Sequence, residues 1–252
     1  MAVPRMDGET NGQPEVLSIG VDGLIVRFAT TLSEPANRAA LALRAAIDAA
    51  CLPGVEETAT SLCSTYLRLD LSLTDHARLR AALGEILAER NWRDAPLPKG
   101  RRLWHVPAVF GTELAPQLAE AAALAGCNPE EAIAEICAAP LRVQTIGFAP
   151  GQPYLGQLPD RWNIPRQSGL THSVPEGALV VAIRQMVLFS VSTPTGWRHV
   201  GQTALRLFRP ERDDPFLLRP GDEVRFHAVD PDVLERMRRE DPEGGLRSEG
   251  LA

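Results

Sequence analysis

The side chains able to do chemistry stand singly in this sequence. Arg166, directly after Pro165, carries a planar guanidinium suited to gripping a carboxylate or phosphate with two parallel hydrogen bonds; a surface ion pair is the plain alternative. Gln185 is a polar residue in an apolar run and either lines a cavity or faces solvent, with Arg184 turned to the opposite face by strand alternation. Tyr154 joins an aromatic wall to a polar tip and suits a pocket, whereas Phe148 reads as core and Trp197 as packing at a barrel mouth. The histidines, His76, His105, His172, His199 and His227, show no His-x-His or His-x-x-x-His spacing. His172 and His199 are candidate general bases, to be weighed against a solvent or core role. Ser168, Ser173 and Ser190 lack a Gly-x-Ser-x-Gly elbow, so no hydrolase triad is supported. Neither a Walker A sequence nor Gly-x-Gly-x-x-Gly is present. Glu130 and Glu131 follow Asn128 and Pro129, which marks them as helix-capping carboxylates rather than a catalytic pair. Cys51, Cys63, Cys127 and Cys137 form no Cys-x-x-Cys pair and read as reduced thiols, with no zinc site.

The stretch that must position much of this is Gly147 to Gly156, which holds three glycines, two prolines and two aromatics. Proline fixes φ and glycine permits φ > 0, so the segment is a shaped loop after an apolar run from Val143. Two readings fit it equally: a tight corner with its rings in the core, or a binding element held by a rigid scaffold.

Upstream, residues 1–14 read as a disordered lead. Apolar runs flank Asp22-Gly23, a turn signal for a hairpin or bulged strand. Ser33 with Pro35 starts a helix that Pro53-Gly54 stops. Gly54 to Thr60 suits a strand, and Tyr66 to Leu71 alternates as a half-buried one. Asp75 opens a second helix, with Leu79, Leu83 and Ile86 on one face. A strand near Leu103 to Val106 would close a ferredoxin-like βαββαβ lobe over residues 15–92. From residue 101 to 230, two short helices precede β-type runs separated by Pro- and Gly-containing turns: 178–183, 187–191, 197–200, 204–208 and 223–229. That texture predicts an antiparallel β-barrel or sandwich, and the class α+β. A helical stretch at 233–239 precedes a Gly-rich, charged tail, 241–252, expected to be disordered.

A net charge of −6 with 5% aromatic residues argues against a nucleic-acid surface. The longest apolar runs fall short of a membrane span, and the polar start lacks a secretory h-region, which predicts a cytoplasmic protein.

Several ordered motifs together resemble one family. Gly147-Phe148-x-Pro150-Gly151-x-Pro153-Tyr154-Leu155-Gly156 is similar to the GFxPGFPYLGG signature of the 5-oxoprolinase B subunit, a family shared with allophanate hydrolase subunit 1 and the Kip-type inhibitors. Pro165-Arg166, Val174-Pro175-x-Gly177, Gly196-Trp197, Gly201-x-Thr203 and Leu218-x-Pro220-Gly221-Asp222 follow in the family's order, and Val106-Pro107-x-Val109-Phe110-Gly111 resembles its IPVxYGG. The resemblance implies a cyclophilin-like barrel after the ferredoxin-like lobe. It implies ATP-dependent opening of 5-oxoproline to glutamate with the 5-oxoprolinase C and A subunits as partners, the ATP and its magnesium being shared across the complex. On the same ground Pro150, Gly151, Tyr154, Arg166, Gln185 and Trp197 are the expected substrate-binding residues for a small amide. Where the family has GGQTG, this chain has Ile183-Arg184-Gln185-Met186-Val187. That departure keeps two alternatives open: a non-catalytic Kip-type regulator, or an allophanate hydrolase or urea carboxylase-type component.

Overall fold

The computed structural model describes residues 13–251, so most of the expected disordered lead lies outside the described residues. Two compact units divide between Pro98 and Lys99. The first contains β1 (Glu15–Ile19), β2 (Gly23–Arg27), α1 (Glu34–Ala50), β3 (Val55–Ser61), β4 (Ser64–Leu69) and α2 (His76–Ala88). Its sheet runs β1-β2-β4-β3, antiparallel throughout. The helices start where capping chemistry dictates. Ser33 accepts from the Ala36 amide ahead of α1, and Asp75 from the Arg78 amide ahead of α2. Leu24, Val26, Leu67 and Leu69 of the sheet pack with Leu43, Ile47, Leu79 and Leu83 of the helices. The lobe is two-layered, but Leu103 to Val106 does not close it. The fourth strand is β1, supplied by the Asp22-Gly23 hairpin, and residues 103–106 belong to the second unit. A strand's partner is set by long-range packing that its own sequence does not encode.

The second unit opens with β5 (Arg102–Phe110), α3 (Leu118–Leu124) and α4 (Pro129–Ala138). It continues through β6 (Leu141–Ile146), β7 (Pro153–Gly156), β8 (Thr171–Val174), β9 (Ala178–Ala182), β10 (Gln185–Leu188), β11 (Thr193–Thr195), β12 (Arg198–Thr203) and β13 (Glu223–Ala228). The last elements are α5 (Pro231–Glu240) and β14 (Arg247–Gly250). Seven strands, β12-β9-β10-β7-β6-β13-β5, close into a barrel because β5 also pairs with β12. The barrel is not wholly antiparallel: β13 lies parallel to β5 over Glu223–Ala228. Residues 204–208, expected as a strand, make only an isolated bridge from Phe208 to Phe216.

Strand alternation sorts the barrel's two faces. Val181, Met186 and Leu188 join Val106, Leu155 and Phe226 in one core, on which Leu118 of α3 and Ile136 of α4 also pack. Val180, Ala182 and Val187 face the other way, into a smaller cluster completed by Val174, Phe189 and Trp197. Val174 belongs to the two-stranded ribbon of β8 and β11, which lies over that face.

The tail from Asp241 is ordered, against expectation. Asp241 accepts from the amides of Glu243 and Gly245, and Glu243 pairs with Arg209 and Arg212. Arg247–Gly250 then pairs along β5 as β14. The tail's polar composition signals solvent exposure, and β14 is indeed exposed, but backbone pairing needs no apolar side chain.

Candidate functional site

Trp197 sits where β11 passes into β12, its amide donating to Thr195 Oγ1 at 3.1 Å. Tyr154 of β7 meets it edge-on, with ring centroids 6.3 Å apart and planes at 78°. The guanidinium carbon of Arg166 lies 5.2 Å from the Trp197 ring centroid, a cation–π contact. Three of the expected site residues, Tyr154, Arg166 and Trp197, therefore come together from distant points in the chain. Arg166 is exposed and makes no ion pair among the described residues.

Arg198 positions this group. Its side chain is buried and donates to Glu120 Oε1 at 2.8 Å and to the Pro165 carbonyl at 2.6 Å. Gln167 fastens the other side of Arg166. Its amide donates to the Gly196 carbonyl at 2.7 Å, and its Nε2 to the Trp197 carbonyl at 3.0 Å and Thr171 Oγ1 at 3.2 Å. Gln117 Nε2 donates in turn to Gln167 Oε1 at 2.7 Å. Sequence reasoning missed these supports. The available signal was Arg198 itself, a charge beginning a run otherwise free of charge up to Thr203.

Gln185 does not face solvent. It is buried and donates to Gln144 Oε1 at 2.8 Å. Gln144 occupies a bulge of β6 between Val143 and Thr145, which turns its amide towards β7. Gly156 faces Gln185 across the ladder, and a Cβ there would lie 2.9 Å from Gln144 Oε1. Glycine at 156 thus makes room for the amide pair.

The altered segment before Gln185 is a two-residue hairpin turn. Ile183 and Arg184 have φ of 46° and 63°, the left-handed conformation that glycine adopts without steric cost. Four bonds hold it: Ile183 N to the Ile164 carbonyl, Arg184 N to that of Trp162, Arg184 Nε to that of Leu158, and Leu158 N to that of Arg184. An ion pair of Arg184 with Asp160 at 2.6 Å adds to them.

In the loop before β7, Phe148 is 73% exposed with φ 73°, so it is not core. The chain turns at Phe148 in the left-handed region and leaves the ring outside. Pro150 is exposed, while Gly151 is buried with φ 72°, where a Cβ would meet the Leu207 carbonyl at 3.0 Å. Gly151 thus serves close packing against residues 207–208.

His172 is exposed on β8, whereas His199 is buried on β12 and its imidazole is pushed below its ordinary pKa by burial. Asn128 and Glu131 form a reciprocal capping box on α4. Burial raises the thiols of Cys63, Cys127 and Cys137, which disfavours the nucleophilic thiolate. No metal-holding group of His, Cys, Asp and Glu occurs among the described residues.

Comparison with known proteins fixes the relationship. Residues 14–218 match the family described as carboxyltransferase domain, subdomain C and D. The chain belongs to this family. The 5-oxoprolinase B subunit of Bacillus subtilis is 31% identical over 222 residues, covering 85% of this chain and 92% of that protein. The Escherichia coli protein of the same name is 37% identical over 139 residues, 55% of this chain and 64% of that one. The solved structure of TTHA0988 superposes with a TM-score of 0.69 at 31% identity over 82% of this chain. This chain spans 40% of that longer one. The Kluyveromyces lactis urea amidolyase structure shares the fold, with TM-score 0.71 at 16% identity, over 96% of this chain and 17% of its own.

Proposed function

We propose that the chain is the B subunit of an ATP-dependent 5-oxoprolinase. With partners like the C and A subunits of that enzyme, it would convert 5-oxoproline, ATP and water to glutamate, ADP and phosphate. The observation that carries this reading is the match to the Bacillus subtilis 5-oxoprolinase B subunit along 92% of that protein's length. The cytoplasm, where ATP and a reducing environment are supplied, is the compartment that suits it. No helix among the described residues is long and apolar enough to cross a membrane.

The site chemistry is compatible. Arg166 presents a guanidinium without a carboxylate partner on the face of Trp197, where it can take the carboxylate of 5-oxoproline or a phosphate. Arg198 and Gln167 hold the backbone on either side of it. Tyr154, packed edge-on against the buried Trp197, holds the ring that Arg166 covers. ATP supplies phosphoryl activation of the lactam oxygen ahead of attack by water. A single free guanidinium fits one anionic group, so we assign the remaining phosphate and magnesium contacts to the partner proteins.

The regulatory alternative rests on lost glycines. Ile183 and Arg184 nevertheless adopt the left-handed conformation that glycine would serve, so their presence does not single out a non-catalytic protein. The urea amidolyase likeness, at 16% identity, bears on fold alone.

The test is co-expression with the C-subunit homologue, followed by an assay of glutamate release dependent on ATP and 5-oxoproline. Activity lost in Arg166→Ala while the complex stays intact supports the reading. A stable wild-type complex that does not turn over 5-oxoproline overturns it.

A further inference from the structure

A second group of chemistry-bearing side chains lies on the outer face of the barrel and shares no residue with the Trp197 group. β13, β5 and β14 run side by side there, and Arg225, His105 and Arg247 stand in register across them. Residues in register point to one face of a sheet, here the face away from Val106, Val224 and Phe226 of the core. A cleft of about 530 Å³ opens beside them, lined by His105, His227, Arg247, Ser248 and Glu249 together with Pro107 and Met237. That volume is within the range of small-molecule sites. His227 is exposed and His105 partly so, which leaves the cleft open to solvent.

The charges on this face do not balance. Neither Arg225 nor Arg247 has a carboxylate partner among the described residues, and Arg225 Nε is buried without an acceptor, which costs free energy. The nearby carboxylates are engaged elsewhere: Glu223 pairs with Arg101 at 3.3 Å, and Glu249 Oε1 lies 3.2 Å from His105 Nε2. That second contact fixes the protons. A carboxylate only accepts, so His105 Nε2 donates to it and His105 Nδ1 carries a lone pair. The lone pair accepts from His227 Nε2 at 2.9 Å, leaving His227 Nδ1 without a proton. The neutral pair thus has no N–H to spare, and one added proton supplies one, at His227 Nδ1. Burial, with His105 and Arg225 beside it, pushes the His227 imidazole below its ordinary pKa. An anion among these groups opposes that effect, so anion and proton favour each other's binding.

We propose that this cleft binds a tetrahedral oxyanion, free or as the end group of a larger molecule, between Arg247 and the His105–His227 pair, and takes up one proton at His227 Nδ1 as it does so. Arg247 and, two strands away, Arg225 supply the positive charge, and Ser248 a hydroxyl donor. Donors arriving from three strands suit an anion with oxygens in several directions better than a planar carboxylate. The proposal does not rest on the activity proposed above, since it concerns binding to this chain alone.

The probe is sulfate, whose charge stays constant where imidazoles titrate, with acetate as the planar control. Each is titrated into the full-length isotope-labelled chain at fixed ionic strength, following the imidazole nitrogens of His105 and His227 by NMR. The expected result is saturable sulfate binding that tightens on acidification, approaching about tenfold per pH unit, the limit for one linked proton. The His227 Nδ1 resonance should move to its protonated position as sulfate binds. Arg247→Gln should weaken sulfate about fivefold or more. His227→Gln should remove the pH dependence. Both side chains are exposed, so both variants should fold. Phenyl phosphate binding more tightly than inorganic phosphate assigns the site to the end group of a larger molecule, and equal or weaker binding assigns it to the free ion. No saturation by sulfate in the folded wild type, affinity independent of pH, acetate binding as tightly as sulfate, or a pH dependence kept in His227→Gln overturns the proposal. Because neither ATP nor a partner protein is present, failure here is distinct from failure of the turnover assay.

Discussion

Arg198 donates to the carbonyl of Pro165 at 2.6 Å, so a buried arginine beside Trp197 holds the backbone from which Arg166 extends. Removing it leaves Glu120 without its partner and frees the loop. Arg198→Ala is expected to destabilise the second unit by about 1.5–3 kcal/mol, as for loss of charged hydrogen bonds. Glu120 is half exposed and is solvated once its partner is gone, so no buried charge is stranded. Arg198→Lys keeps the charge but cannot make both bonds and should recover less than half. Urea unfolding gives the energies, and near-ultraviolet circular dichroism reports whether Trp197 keeps its setting.

The turn at Ile183 and Arg184 stores strain. A left-handed residue with a Cβ costs roughly 1–2 kcal/mol, and a β-branched one is the worst fit. Asparagine tolerates this region, and Ile183 is 42% exposed, so little burial is forfeited. Ile183→Asn should raise the thermal midpoint by a few degrees. A lowered midpoint would mean that the Ile183 side chain contributes more through packing than the turn loses through strain.

Stability should fall in mild acid. Burial holds the His199 pKa below the ordinary value of about 6.5, so between the two values the unfolded chain binds a proton that the folded one does not. The contribution is intact above about pH 6.5 and declines as pH drops towards the folded pKa. His227, lowered by burial and by neighbouring His105 and Arg225, acts in the same direction more weakly because it is exposed. His199→Leu should flatten the profile below about pH 6.5 relative to wild type. Equal slopes for the two proteins in urea midpoints across that window would refute the assignment.

Gly156→Ala should separate Gln144 from Gln185. The added Cβ would stand 2.9 Å from Gln144 Oε1, closer than packing permits. A cost of about 1–3 kcal/mol is expected for overpacking. Adding Gln144→Ala should recover part of it, and that non-additivity in a double-mutant cycle is the diagnostic result.

Features with local causes were legible in the residues. Asn128, Pro129 and Glu131 carry the start of α4 unaided, and the alternation of Leu67 and Leu69 marks a half-buried strand. The motif order placed Tyr154, Arg166 and Trp197 in one expected site, and the fold assembles them. What escaped depended on distant partners. Leu103 to Val106 reads as a strand in isolation, but only its pairing with Glu223–Phe226 shows which sheet it joins. The Gln144–Gln185 pair depends on a bulge that shifts register by one residue, and nothing in Gln144 itself announces that. Phe148 reads as core because its ring is apolar, while its backbone conformation turns the ring outward. Arg247–Gly250 has no apolar side chain to signal a strand, because its stability comes from the edge of β5.

The pairing of β5 has a consequence for how the protein is made. The barrel's first strand is completed by β12, β13 and β14, all far downstream, while the first unit pairs only within itself. On a ribosome the amino-terminal lobe can fold as soon as it emerges. The barrel cannot close until β13, Glu223–Ala228, has been synthesised, and β5 waits meanwhile with unpaired edges. Long-range pairing of this kind folds slowly and leaves strands open to wrong partners, so the yield of native protein should depend on translation rate and chaperone supply.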